Sequence, residues 1–137
     1  MINKGLFTSY RQDWKTPEKI FLDLNKEFDF DFDPCPNNPT FNGLEIEWGL
    51  RNFVNPPYTT KLQDNFVKKA VEEFKKGKLV VMLIPARTDT TRFHDFILPN
   101  ATEIRFIKRR LQFDDCGKDA SFGSMLCIFD PSKEVEK

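Results

Sequence analysis

Histidine and cysteine are scarce in this chain: His94 is the one histidine among 137 residues, and Cys35, Cys116 and Cys127 are the three cysteines. With no Cys-x-x-Cys pair and a lone imidazole, the side chains a zinc site needs are missing, so no metal is expected. His94 reads as a surface or packing residue. The odd cysteine count and the lack of a secretory leader speak against a disulfide framework and for a reducing cytoplasm, with the thiols as small packing groups. No apolar run approaches the length of a bilayer span, so no membrane partner is expected. Net charge is absent too, since 21 basic and 21 acidic residues cancel. No global field draws the chain to nucleic acid, and a polyanion would have to be held by a local basic patch. Glycine is down to six residues with no Gly-x-Gly. That excludes the usual glycine-rich turn by which an open α/β sheet lets its backbone approach a ligand. Repeats, linkers and low-complexity segments are absent as well.

What remains suits one globular domain over residues 1–137, with 1–13 an N-terminal extension and 131–137 a flexible tail. Hydrophobic residues make up 39% of the chain and 15 phenylalanines supply much of the core. Thr16 reads as an N-cap with Pro17 at the first helical position, opening an amphipathic helix to about Glu27, with Ile20, Phe21, Leu24 and Phe28 recurring at helical spacing. Phe28 to Phe32 alternates apolar and acidic residues, a strand pattern ending at Asp33-Pro34. Asn42-Gly43 is a turn signal, and Leu44, Ile46 and Trp48 allow a short extended or helical piece. Arg51–Val54 reads as a strand and Thr59 to Asp64 as an exposed loop. Phe66, Val67, Ala70, Val71 and Phe74 mark a helix face that stops at Lys75-Lys76-Gly77.

Leu79–Ile84 is continuously apolar, as in a parallel strand buried on both faces. Thr90 to Leu98 reads as a short helix stopped by Pro99. Glu103–Lys108 and Met125–Phe129 read as strands joined by a polar loop, Asp114 to Ala120. Arg109 to Phe113 either continues as a strand, on which Arg109 and Arg110 would point to opposite faces, or bends at a bulge. The fold class expected is α/β: a reduced, Rossmann-like, three-layer sheet with an antiparallel C-terminal hairpin.

Asn55-Pro56-Pro57-Tyr58 is the stretch with chemical content. Each proline fixes its own φ and donates no N–H, and each residue before a proline is pushed to an extended conformation. The corner is stiff, with a polar side chain before it, an aromatic ring after it and carbonyls free to accept. An exocyclic amine on a planar ring fits: Asn55 Oδ1 takes one N–H, the Pro56 carbonyl the other, and Tyr58 stacks on the ring.

Together with Trp14-Lys15-Thr16-Pro17, Asp33-Pro34 and Arg110-Leu111-Gln112-Phe113, this corner resembles the small phage-type, Dam-like DNA N6-adenine methyltransferases. The resemblance covers about residues 14–129. It implies transfer of a methyl group from S-adenosylmethionine (SAM) to adenine N6, with Asn55, Pro56, Pro57 and Tyr58 as the catalytic residues. It also implies SAM contacts from Thr16, Pro17, Asp33, Pro34 and Cys35. Thr59, Arg87, Arg110 and Lys118 would hold DNA, double-stranded with the target base flipped out. A phage-encoded protein would act in the bacterial host cytoplasm.

The sequence departs from the pattern after Asp33, where Pro34-Cys35-Pro36-Asn37-Asn38-Pro39 replaces the glycines. The link from there to Asn55 is also too short for the two strand–helix units such enzymes usually insert. The sheet is then either reduced or completed by a second copy, as a homodimer. Two other functions share the corner: a catalytically silent nucleotide- or SAM-binding module, and methylation of an RNA base or a glutamine amide.

Overall fold

The computed structural model describes residues 16–36, 39–111 and 122–133. The 1–13 extension, Trp14-Lys15, Gln112-Phe113, Cys116, Lys118 and the Asp114–Ala120 loop lie outside the described residues. Among the described residues the elements run α1 (Glu18–Phe28), β1 (Arg51–Val54), α2 (Thr60–Lys75), β2 (Leu79–Pro85), a π-helical turn (Arg92–Ile97) running into α3 (Leu98–Asn100), β3 (Glu103–Phe106) and β4 (Ser124–Phe129). The sheet order is β1-β2-β4-β3, with β1 parallel to β2 and β4 antiparallel to both its neighbours. A mixed α/β fold with this sheet is compatible with a Rossmann-like architecture.

All seven residues of β2 are buried, as its unbroken apolar run requires of a central strand. Its side chains alternate between two cores. Val80, Met82 and Ile84 pack with Val67 and Ala70 of α2 and with Phe93 and Ile97. Leu79, Val81 and Leu83 pack with Leu24 and Phe28 of α1. Asn52, fully buried in β1, is satisfied by exchanging hydrogen bonds with both backbone groups of Gly49 and donating to the Leu79 carbonyl.

Helix α2 ends as its sequence suggests. Gly77 takes φ 96, its N–H bonds the Phe74 carbonyl, and the Lys78 N–H reaches back to Glu73 O. This is a Schellman closure, which a glycine accommodates without strain.

Several expectations are corrected. Phe28 belongs to α1, because its burial beside Leu24 follows the i, i+4 helical repeat. Asp29 then closes the helix in the left-handed region (φ 54), and of the proposed Phe28–Phe32 strand only Phe32 pairs, as a parallel bridge to Asn52. Pro17, not Thr16, occupies the N-cap position of α1, where no side chain caps the helix. Thr59 to Asp64 is not a loop. Thr59 is the N-cap of α2, its hydroxyl accepting from the Leu62 N–H at 3.3 Å, so helix begins at Thr60. Pro99 does not stop the helix before it; the helical run from Arg92 continues through it to Asn100. Residues 41–50 form no regular element. Strand β3 ends at Phe106, and Arg109 turns the chain at φ 70, so Arg109 and Arg110 are not opposed on a strand.

Candidate active site

Parallel pairing ends β1 and β2 on the same side of the sheet, and antiparallel β4 begins there. The segments beyond these ends converge: the Ala86 N–H donates to the Gly123 carbonyl at 2.8 Å. The Phe32–Asn52 bridge places Asp33 on the same rim as Asn55. Ligands of open α/β sheets bind at this edge.

The Asn-Pro-Pro-Tyr corner is held from two directions. Asn55 is 8% exposed, and its Nδ2 donates to Thr16 Oγ1 at 2.9 Å. The hydroxyl that the sequence suggested as a helix cap is engaged here instead. On the other side Gln63, in the first turn of α2, donates through Nε2 to the Pro57 carbonyl at 3.1 Å and, at 3.5 Å, to the Pro56 carbonyl. Pro56 is buried, while Pro57 and Tyr58 are half-buried. The Tyr58 ring meets Phe122 edge to face, centroids 5.4 Å apart.

A cleft of about 310 Å³ opens between this corner and the loop after β2, walled by Tyr58, Gln63, Arg87, Asp89, Arg92 and Phe122 among others. Arg92 is buried and fixed by Asp64 at 2.9 Å. Arg87 is exposed at the mouth. Arg110 is also exposed, and its neighbour Leu111 packs on the same apolar cluster as Tyr58 and Phe122. Thr59 is exposed at the start of α2.

Asp33, Pro34 and Cys35 form a compact turn in which Asp33 Oδ1 accepts from the Cys35 N–H at 2.8 Å. Pro34 is buried and Cys35 half-buried. The turn itself holds no glycine, and the glycine that lies close against it comes from further along the chain. A Cβ on Gly43 would lie 1.9 Å from the Pro34 carbonyl oxygen, so only glycine lets this segment lie against the turn.

Trp48 holds Gly43 there, its indole Nε1 donating to the Gly43 carbonyl at 2.7 Å. The Trp48 N–H is in turn bonded by Glu73 Oε1 at 3.2 Å. Glu73 is fully buried among Lys69, Lys76 and Lys78, at 3.1, 3.1 and 2.6 Å. Burial pushes its carboxyl up, but the three lysine hydrogen bonds and the Trp48 N–H outweigh it and hold the group down at about 2. The Cys127 thiol, buried in β4, is pushed up to about 12 and is chemically quiet.

The structure thus brings Thr16 to Asn55 and lines one cleft with both Arg87 and Tyr58. Gln63, Arg92, Phe122 and the Gly43 contact were not foreseen. Gln63 was hidden in a segment read as a loop. The Gly43–Pro34 approach joins residues nine apart through a fold with no local periodicity, so no spacing signals it.

Among the described residues no helix is long and apolar enough to cross a membrane. A comparison with known proteins adds that the chain is 30% identical over 119 residues to a DNA N-6-adenine-methyltransferase of Escherichia phage T1, covering 77% of this chain and 49% of that relative. The chain therefore spans about half the length of the curated relative it matches. The family model of the DNA N-6-adenine-methyltransferases (Dam) matches residues 5–136, nearly the whole length including the corner and the Asp33 turn, and the chain belongs to that family.

Proposed function

We propose that this chain methylates the exocyclic N6 amine of adenine in DNA, with SAM as the methyl donor. The observation that carries the reading is the Asn55–Tyr58 corner, set rigidly on the ligand-binding rim of the sheet beside a cleft with an aromatic wall. We read the architecture as a reduced three-layer methyltransferase sheet, since α1 and α2 pack against opposite sets of β2 side chains.

The residues around Asp33 fit the donor chemically. A carboxylate-bearing turn, backed by a glycine that lets the chain close in, stands on the same rim as Asn55, whose side chain is bonded by Thr16. Thr16, Pro17, Asp33, Pro34 and Cys35 would hold SAM there. Bound, it supplies an electrophilic sulfonium methyl.

This chain's own part is to prepare the nitrogen. The N6 lone pair is delocalised into the purine ring and attacks poorly. The Asn55 side-chain oxygen and the Pro56 carbonyl each accept one N–H, which favours a pyramidal nitrogen and stabilises the positive charge that develops on it. The proton leaves after transfer, so no strong base is required. Alignment of the reacting atoms by the stiff corner supplies much of the rest. A paired base cannot reach such a corner, so the base is flipped, with Tyr58 and Phe122 replacing the stacking it loses. Arg87, Arg110, Lys118 and Thr59 would hold the flanking backbone.

The test is transfer of labelled methyl from SAM to unmethylated DNA, followed by digestion to nucleosides. Label recovered in N6-methyladenine is the expected result. Label in cytosine, or none with SAM and DNA both saturating, would refute the assignment.

A further inference from the structure

Gln63 lies outside every motif that led to the corner, yet it is the side chain that holds the corner's carbonyls. It is 2% exposed. Its Nε2 faces two oxygens that can only accept, those of Pro57 (3.1 Å) and Pro56 (3.5 Å). The amide orientation is therefore dictated, because the flipped form would set Oε1 against both carbonyls. Among the described residues its own Oε1 is left buried without a hydrogen-bond partner. A buried acceptor in that condition carries a desolvation penalty, and nothing in α2 itself calls for a glutamine here: the neighbouring buried positions Phe66, Val67 and Ala70 are apolar. The penalty is offset by what Nε2 does.

We propose that Gln63 is a positioning residue for methyl transfer, resting on the methyltransferase reading above. Two successive proline carbonyls have no neighbouring N–H to orient them, and Gln63 supplies the missing donor. The shorter bond anchors the Pro57 carbonyl and with it the peptide plane leading to Tyr58. The longer one reaches the very carbonyl that the target amine must use. Its length matters: at 3.5 Å it lies at the outer limit of a hydrogen bond, so the arriving N–H displaces it while the Pro57 bond persists. Gln63 thereby keeps the Pro56 carbonyl aimed before the base arrives and yields it when the base is in place. Its position four residues into a capped helix makes the aim rigid, because Thr59 closes the helix start and its carbonyl bonds the Gln63 N–H at 2.9 Å.

The experiment compares wild type, Gln63→Met and Gln63→Glu in single-turnover methyl transfer at saturating SAM and unmethylated DNA, with SAM affinity, DNA affinity and Tm measured on each. Methionine keeps the length and loses the donor. Glutamate keeps the shape and turns an oxygen on both carbonyls. Expected are a rate loss of about tenfold for Gln63→Met, one neutral hydrogen bond's worth, and a further loss of about tenfold for Gln63→Glu. Both variants keep SAM and DNA affinities within about threefold, and the Tm of Gln63→Met stays within about 3 °C of wild type.

A role in folding alone would lower Tm and leave the single-turnover rate of the folded fraction unchanged, and that result overturns the proposal. Wild-type rate in Gln63→Met overturns the proposal, as does a rate loss accounted for by weaker SAM or DNA binding. Unfolding of both variants also overturns it, because Gln63 is then a core residue. If wild type transfers no methyl group at all, the functional reading fails first, and that outcome is distinct from equal rates in active enzymes.

Discussion

Replacing Glu73 by glutamine removes one negative charge from among three lysines while keeping the outline of the side chain. Lys78 suffers most. Its side chain is 9% exposed, and its other carboxylate partner, Glu47, is 68% exposed, so solvent screens that second pair. Losing one partner of a buried ion pair costs about 3–5 kcal/mol. The carboxyl's displacement from 4.5 to about 2 leads to a similar figure, roughly 3 kcal/mol.

The sign follows from the direction of that displacement. The folded state holds Glu73 ionised to lower pH than the unfolded chain does. Its contribution is complete above about pH 4.5 and is lost as pH falls towards 2. Denaturant titrations from pH 7 to 2.5 should show wild type losing stability across that window and Glu73→Gln losing about 3 kcal/mol less there. At pH 7 the variant should melt about 10 °C lower. Because Glu73 carries the Trp48 N–H, and Trp48 carries Gly43 against the Asp33 turn, SAM affinity should weaken before the transfer rate does. A variant within 1 kcal/mol of wild type at pH 7, or one with the same acid slope, would refute the ion cluster as a determinant of stability.

Asn55→Ala should lower the transfer rate at saturating SAM on the order of 10²–10³-fold, well beyond the loss of SAM affinity and Tm that breaking its bond to Thr16 causes, about 1 kcal/mol; near-normal rates would remove Asn55 from the chemistry. Gly43→Ala cannot keep its Cβ 1.9 Å from the Pro34 oxygen, so calorimetric titration should show SAM affinity falling at least about tenfold, the scale of a backbone displacement worth 1–2 kcal/mol. Tyr58→Phe should bind DNA nearly as wild type does, whereas Tyr58→Ala should lose about 1–3 kcal/mol of base stacking; equal losses would assign the role to the hydroxyl. Arg110→Ala should weaken all DNA sequences alike and flatten the salt dependence of binding by about one charge, and an altered site preference would contradict a phosphate contact.

Legibility from sequence followed the range of the forces involved. Strand β2 was readable because six consecutive apolar residues leave a central strand few alternatives, and the end of α2 because Gly77 follows two lysines. The Phe28–Phe32 segment misled because its alternation fits two structures at once: Phe28 satisfies the helical repeat with Leu24, and Phe32 satisfies the pairing with Asn52. Only the tertiary packing on β2 decides where the helix stops. Thr16 and Thr59 show the same ambiguity for caps. Both precede helices, and whether a threonine hydroxyl caps or reaches elsewhere depends on what the fold places near it. At Thr16 that is Asn55, 39 residues away; at Thr59 it is Leu62, in the next turn.

The missing glycine turn carries this furthest. A cofactor turn needs close backbone approach, and the sequence around Asp33 has prolines where that approach would be expected. Prolines forbid the flexible turn but supply a rigid one, and a rigid turn cannot fold itself around anything; the approaching backbone must come from elsewhere. Gly43 lies close against the Asp33 turn, held there by the Trp48 indole, and Trp48 in turn depends on Glu73 and its lysines. The Asn55–Tyr58 corner is built the same way. Its prolines remove local donors, and side chains from Thr16 and Gln63 supply the bonds. In both places rigidity is gained by giving up local hydrogen bonding, and long-range partners that no motif contains restore it. The residues outside the motifs should therefore tolerate substitution less well than ordinary surface or core positions, and a scan of Thr16, Gly43, Trp48 and Gln63 against equally buried apolar residues, read as transfer rate at fixed Tm, measures that difference directly.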